Sequence, residues 1–283
     1  MTFKNLTIAF IGSGVMGEAM MKGLLSKGMV EPHQIVASDP RADRGLELVE
    51  RYGLRFTTDN HEAAEAGDLL VLSVKPQVVE QVLPAVRRGA HSASLVLSIA
   101  AGVRIRTIAN GVANASVVRA MPNTPAQIGQ GITVWTATEE VLPPQREQAR
   151  MLLGALGEEM YVGDESYLDM ATALSGTGPA YIFLFMEALI DAGVHMGFAR
   201  RDAERLVLQT MRGSVEYAAA SGLHPAQLRN QVTSPGGTSA EAIYHLEKGG
   251  LRTVISRAVW AAFQRSVTLG GGPSVREPNG DNL

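Results

Sequence analysis

Gly12-Ser13-Gly14-Val15-Met16-Gly17 is the stretch whose residue types and spacing most directly imply chemistry. Gly12 makes a tight turn, Gly14 lets the backbone approach a pyrophosphate, and Gly17 lets the next helix pack closely on the strand. Ser13, Val15 and Met16 complete the turn and are assigned to the same cofactor site. The pattern is weak alone and informative in context. Here an apolar run, Ile8 to Ile11, precedes it, and a helical period with Met16, Met20, Leu24 and Leu25 on one face follows. A dinucleotide's diphosphate then sits at the helix N-terminus, where free N–H groups and the helix dipole attract anions.

An acidic residue about 20 positions past such a turn accepts the adenosine ribose 2′-hydroxyl. Asp39 stands there, after a second strand read over Gln34–Ser38. Its charge favours NADH by repelling a 2′-phosphate. Arg41 can instead clamp that phosphate, with Ser38 in support, and Asp39-Pro40 is also an ordinary turn initiator. NADPH and NADH both stay open on these residues.

Asp68–Ser73, Ser94–Ile99 and Ala115–Ala120 read as further strands, ending in Val74-Lys75-Pro76, Ala100-Ala101-Gly102 and Met121 to Ala126. Small and proline-rich loops at successive strand ends suit a ligand crevice along the carboxyl edge of a parallel sheet. Val74, Lys75, Pro76 and Ala100 therefore join the cofactor candidates. Ile132–Thr136 and Glu159–Val162 read as the last strands, and Ala42–Tyr52 as a helix. This alternation predicts an α/β domain over residues 1–163, a doubly wound (Rossmann-type) parallel sheet.

Residues 164–270 show only helical periods, among them Arg201–Ala220 and Leu251–Leu269, and read as an all-α domain. It is apolar on more than one face, notably Tyr181 to Ile190. About 100 residues cannot hide so much surface internally, which predicts pairing with a second copy. The polar, glycine-rich stretch 271–283 reads as a flexible tail. Two glycine-proline interruptions stand out, Ser175 to Tyr181 and Thr233 to Ser239. Each sets Ser/Thr hydroxyls beside glycines at an apparent helix start, a place for a carboxylate or simply an N-cap.

Composition narrows the class. The 283 residues are 46 % apolar and 19 % charged, with net charge −3 and pI near 6.1. That argues against a nucleic-acid surface. The absence of cysteine excludes disulfides, thiol nucleophiles and iron–sulfur clusters. The histidines show no metal-ligand spacing, and no metal is expected. No signal-peptide pattern opens the chain, and no uninterrupted apolar run reaches about 18 residues, so neither a membrane partner nor a membrane span is expected. A cytoplasmic protein is the expectation.

Taken in order, the N-terminal glycine turn, Val74-Lys75-Pro76, Ser98-Ile-Ala-Ala-Gly102, Met121-Pro-Asn-Thr-Pro-Ala126, Ser175-Gly-Thr-Gly-Pro-Ala-Tyr181 and Val232 to Ser239 resemble the pyrroline-5-carboxylate reductase family. The resemblance spans about Ile8 to Leu269. It implies NAD(P)H-dependent reduction of 1-pyrroline-5-carboxylate to L-proline, the last step of proline biosynthesis. It also implies a homodimer with interlocked helical domains, with a decamer of five dimers as a further assembly. Ser234, Gly236, Gly237, Thr238 and Ser239 would bind the imine substrate. Ser239 would donate to or orient at the ring nitrogen. Asn123 and Thr124 would flank the nicotinamide, and Lys75 would serve the cofactor through its loop. One position departs from the pattern: Ser239 stands where the family usually has threonine. Its hydroxyl keeps the hydrogen bonds, with a freer χ1.

A protonated imine is already electrophilic, so such a site needs positioning and desolvation more than a strong base. Two rivals are weighed. A β-hydroxyacid dehydrogenase needs a lysine on the long helix after the sheet domain, and none occurs from Pro76 to Glu247. A non-catalytic NAD(P)H sensor or assembly protein would have no use for a carboxylate loop at Ser234 to Ser239.

Overall fold

The computed structural model describes residues 3–273. Most of the flexible tail read over 271–283 therefore lies outside the described residues. The chain begins β1 (Ile8–Ile11), α1 (Val15–Ser26), β2 (Ile35–Ser38), α2 (Ala42–Tyr52), β3 (Arg55–Thr57), α3 (Asn60–Ala66) and β4 (Leu69–Leu72). It continues α4 (Val79–Gly89), β5 (Leu95–Ser98), α5 (Ile105–Val112), β6 (Val117–Met121), β7 (Gly131–Ala137), α6 (Pro143–Gly154) and β8 (Gly157–Tyr161).

The sheet order is β3-β2-β1-β4-β5-β6-β7-β8. Strands β1, β2, β4 and β5 are buried along their whole length. Short apolar runs with no polar face are what a parallel sheet covered by helices requires. One core layer holds Ile8, Phe10, Met20 and Leu24, and the opposite layer Ala9, Ile11, Leu70 and Leu83. The order reverses between β1 and β4, which is where a doubly wound sheet opens its ligand crevice. Two details escape a sequence reading. β3 is a three-residue edge strand, too short for periodicity, and β7 runs antiparallel to β6.

All-helical chain follows: α7 (Tyr167–Ala171), α8 (Gly178–His195), α9 (Arg200–Ser221), α10 (Pro225–Gln231), α11 (Thr238–Lys248) and α12 (Leu251–Leu269). Contacts divide the chain into two compact units. One holds the described residues through Gly178 together with those from Ala262 on. The other is Pro179–Ala261. This differs from a cut at residue 163 because buried charge binds α7 and the end of α12 to the sheet unit. Asp169 accepts from Ser266 Oγ at 2.8 Å and pairs with Arg104 at 2.9 Å and Arg119 at 3.6 Å. Arg119, on β6, also reaches Glu165 at 2.7 Å.

The glycine-proline stretch at Ser175 is not a break. A π-helical turn, Thr172–Gly176, carries α7 into α8. The resulting run, Tyr167–His195, is 29 residues long with mean hydropathy 1.4 in its most apolar window. By length and composition alone it could cross a membrane, although Asp169, Ser175 to Pro179, Glu187 and Asp191 interrupt its apolar residues. Its exposed side chains include Phe183 and Leu184, but it also carries Glu187 and Asp191, the latter paired with Arg200 at 2.8 Å.

Candidate functional site

The glycine turn adopts the geometry that its spacing implies. Gly12 has φ +95°, and a Cβ there would meet Val74 Cγ1 at 2.6 Å. A Cβ on Gly17 would meet Gly12 O at 2.8 Å and Ser73 Oγ at 3.0 Å. A Cβ on Gly14 would meet nothing within 4 Å. The outer glycines thus permit close packing, and the middle one leaves space for a ligand above the start of α1. Val15 is exposed and Met16 packs partly against the core.

Ser13 is wholly buried and every polar group it has is taken. Its N–H donates to Asp39 Oδ2 at 3.2 Å, its hydroxyl donates to Ser38 O at 3.1 Å, and its carbonyl accepts from Arg44 Nε at 3.0 Å. It shapes the turn and offers no free side-chain atom to a cofactor. Ser73, which sequence reasoning passed over, donates its hydroxyl to Gly12 O at 2.6 Å and so ties the end of β4 to the turn.

Asp39 follows β2 at the crevice edge, almost buried. Its Oδ1 accepts from the backbone N–H and the Nε of Arg41, both at 3.1 Å. Burial opposes its ionisation, but the Arg41 side chain and the N–H groups of Arg41 and Ser13 outweigh it and hold the carboxyl below its ordinary range. Arg41 is largely exposed, so it can turn outward. Ser38 is different from expectation: it is fully buried and its hydroxyl donates to Asn60 Oδ1. Asn60 opens α3 directly behind the short strand β3, and finding it required that strand.

Val74, Lys75 and Pro76 follow β4 at the same carboxyl edge, with Lys75 exposed. Ala100 is buried, leaving its backbone as the part that can meet a ligand. Asn123 is already committed: its Nδ2 donates to Ser175 O at 3.2 Å and its Oδ1 accepts from Ile132 N at 3.0 Å. It fastens the β6–β7 loop to the π-helical turn. Thr124 is exposed beside it.

The two hydroxyl-glycine stretches part company. Ser175 Oγ donates to Ala171 O at 2.9 Å and Thr177 Oγ1 to Thr172 O at 2.8 Å, so the first stretch satisfies itself. In the second, Gly236 has φ +70° and Gly237 is the N-cap of α11. Among the described residues, the hydroxyls of Ser234, Thr238 and Ser239 and the N–H groups of Thr238 and Ser239 take no partner. Free donors at a helix start are suited to a carboxylate.

Comparison with known proteins decides the family. A model described as pyrroline-5-carboxylate reductase dimerisation matches residues 165–269. A second, described as NADP oxidoreductase coenzyme F420-dependent, matches residues 7–102. The pyrroline-5-carboxylate reductase of Synechocystis sp. is 41 % identical over 94 % of this chain and 99 % of its own. The chain belongs to the pyrroline-5-carboxylate reductase family. Solved members share its fold. Plasmodium falciparum pyrroline carboxylate reductase with NADP bound is 32 % identical, with TM-score 0.86 over 94 % of this chain and 99 % of its own. The Coxiella burnetii reductase is 36 % identical, with TM-score 0.85 over 94 % of this chain and 99 % of its own. The match to a dimerisation model over residues 165–269 supports oligomerisation, and α8 within it carries exposed apolar side chains.

Proposed function

We propose that this chain reduces 1-pyrroline-5-carboxylate to L-proline, taking hydride from NADPH or NADH as an oxidoreductase of proline biosynthesis. The observation that carries the reading is the unpartnered donor set at Ser234 to Ser239, in a chain that also holds an open diphosphate turn. Family membership supplies the substrate class.

Ser234, Gly236, Gly237, Thr238 and Ser239 bind the substrate, the free N–H groups of Thr238 and Ser239 taking its carboxylate. Gly12, Gly14, Val15, Met16 and Gly17 form the bed for the diphosphate. Ser13 and Ser38 stiffen that bed and its neighbour Asp39 rather than touching the cofactor through their side chains. Asp39 and Arg41 meet the adenosine ribose, and Val74, Lys75, Pro76, Ala100 and Thr124 line the nicotinamide end, with Asn123 holding the Thr124 loop in place. Hydride passes from the nicotinamide to the imine carbon as the C=N double bond becomes single. The π pair settles on the nitrogen as its lone pair, and the nitrogen keeps the proton it took from solvent as the iminium, an N–H that Ser239 orients. Binding and desolvation do the catalytic work, since a protonated imine is already an acceptor.

The assembly is a homodimer through the helical unit, with a decamer of five dimers as the larger form, and the protein is cytoplasmic, without membrane or nucleic-acid partners. The pI near 6.1 and the acids on α8 support that placement.

The test is loss of reduced-cofactor absorbance when the protein meets the cyclic imine. Ser239→Ala should lower kcat by about tenfold or more, as loss of a group that positions the reacting nitrogen does, while NAD(P)H affinity holds. No turnover with either cofactor would leave a non-catalytic NAD(P)H-binding protein, and unchanged kcat in Ser239→Ala would remove the assigned role.

A further inference from the structure

Arg44 lies in the first turn of α2, with 13 % of its side chain exposed. Its guanidinium spans three partners. Nε donates to Ser13 O at 3.0 Å, one terminal nitrogen pairs with Glu18 on α1, and the other pairs with Glu47 at 2.8 Å. Glu18 is itself fixed by Arg51 and by the Tyr52 hydroxyl at 2.9 Å. The charge of Arg44 is therefore spent within the chain, and it acts as a strut rather than as a phosphate ligand. What it holds is informative. The Ser13 carbonyl and the Gly14 N–H belong to one planar peptide and point in opposite directions. With the oxygen drawn to Arg44, the Gly14 N–H is turned away from α2, at the residue where a Cβ would meet nothing within 4 Å.

We propose that Arg44 is a positioning residue for the cofactor, pre-aiming the Gly14 N–H at the dinucleotide diphosphate. The proposal rests on the dinucleotide reading of the glycine turn. Nothing in the spacing of the glycines announces it, since Arg44 is 30 residues beyond Gly14 and meets the turn only through the fold. The neighbouring bonds from Ser13 to Asp39 and Ser38 fix the other side of the same residue, and among the described residues Arg44 holds the carbonyl side of this peptide.

Two variants test it in the full-length enzyme. Arg44→Met removes the donor to Ser13. Arg44→Lys keeps a charge for Glu18 but puts a carbon, Cε, at the side-chain position of the Nε that meets Ser13. Both should raise KM for NADPH and NADH about tenfold, the worth of one hydrogen bond to a charged oxygen. In both, kcat and the imine KM should hold. Competitive inhibition by ADP should weaken by the same factor, while inhibition by adenosine, which has no diphosphate, should not change. ADP inhibiting Arg44→Lys as strongly as wild type overturns the proposal. Parallel losses for ADP and adenosine also overturn it, since they would mark a general structural role. If Arg44→Met does not fold, Arg44→Lys decides alone. Failure of ADP to inhibit the wild type would instead sink the dinucleotide reading itself, a distinguishable result.

Discussion

Alanine at Gly14 should leave the fold intact and cripple the cofactor site. Gly14 has φ −69° and ψ −173°, a conformation open to any residue. The new methyl would meet no atom within 4 Å. Stability should therefore stay within about 1 kcal/mol of wild type, a less flexible unfolded chain offsetting alanine's poorer fit as the N-cap of α1. On the proposed reading of the turn, the same methyl stands where the diphosphate approaches. Forcing a methyl into a fitted contact costs about 1–3 kcal/mol, which is roughly a five- to 150-fold rise in KM for NADPH. Gly17→Ala supplies the contrast. Its methyl would lie 2.8 Å from Gly12 O and 3.0 Å from Ser73 Oγ, two atoms hydrogen-bonded to each other at 2.6 Å. That variant should lose about 1–3 kcal/mol of stability despite alanine's better helix propensity. Urea denaturation and cofactor KM measured on both variants separate the two effects. Gly14→Ala with wild-type KM, or with the instability of Gly17→Ala, would refute the assignment of packing to one glycine and ligand approach to the other.

Asp39→Ser should raise the NADPH/NADH ratio of kcat/KM, and Arg41→Ala should lower it; ratios unmoved in both would reduce the pair to a turn. Glu18 is held below its ordinary value of 4.5: burial opposes ionisation, but Arg44, Tyr52 and Arg51 outweigh it. A depressed folded-state pKa contributes stability above the unfolded value that is lost as pH falls through the folded one. Glu18→Gln should therefore be less stable than wild type at pH 7, and the gap should narrow as pH falls below about 4.5; a gap constant with pH contradicts the pairing. Arg119→Met should cost about 3 kcal/mol, because Asp169 stays buried without one of its cations. An undiminished urea midpoint would show that Arg104 and Ser266 suffice.

Much of the architecture is legible before folding because it is written in local periods. Ala42–Tyr52 and Leu251–Leu269 are helices with the bounds their apolar spacing implies. Strands β1 and β4 announce themselves as unbroken apolar runs. β3 does not, because three residues carry no period. The Ser175 stretch misleads for a related reason: glycine and proline mark a break in a sequence, yet a π-helical turn takes in Gly176 and the first turn of α8 takes in Gly178 and Pro179, with the hydroxyls of Ser175 and Thr177 bonded to Ala171 O and Thr172 O.

The sequence by itself determined the reaction family, the class of cofactor and the loops proposed to meet it. Those depend on backbone shape over a few residues, and glycine, proline and hydroxyl residues specify that shape locally. Only the tertiary structure decided which of these residues are free. Ser13, Ser38 and Asn123 look like ligands in the sequence but spend their polar groups on partners 9 to 52 residues away. Arg44 and Ser73, silent in the sequence, reach the turn through the packing of α2 and β4. Hydrogen-bond capacity is finite, and its allocation is settled by neighbours that only folding brings together.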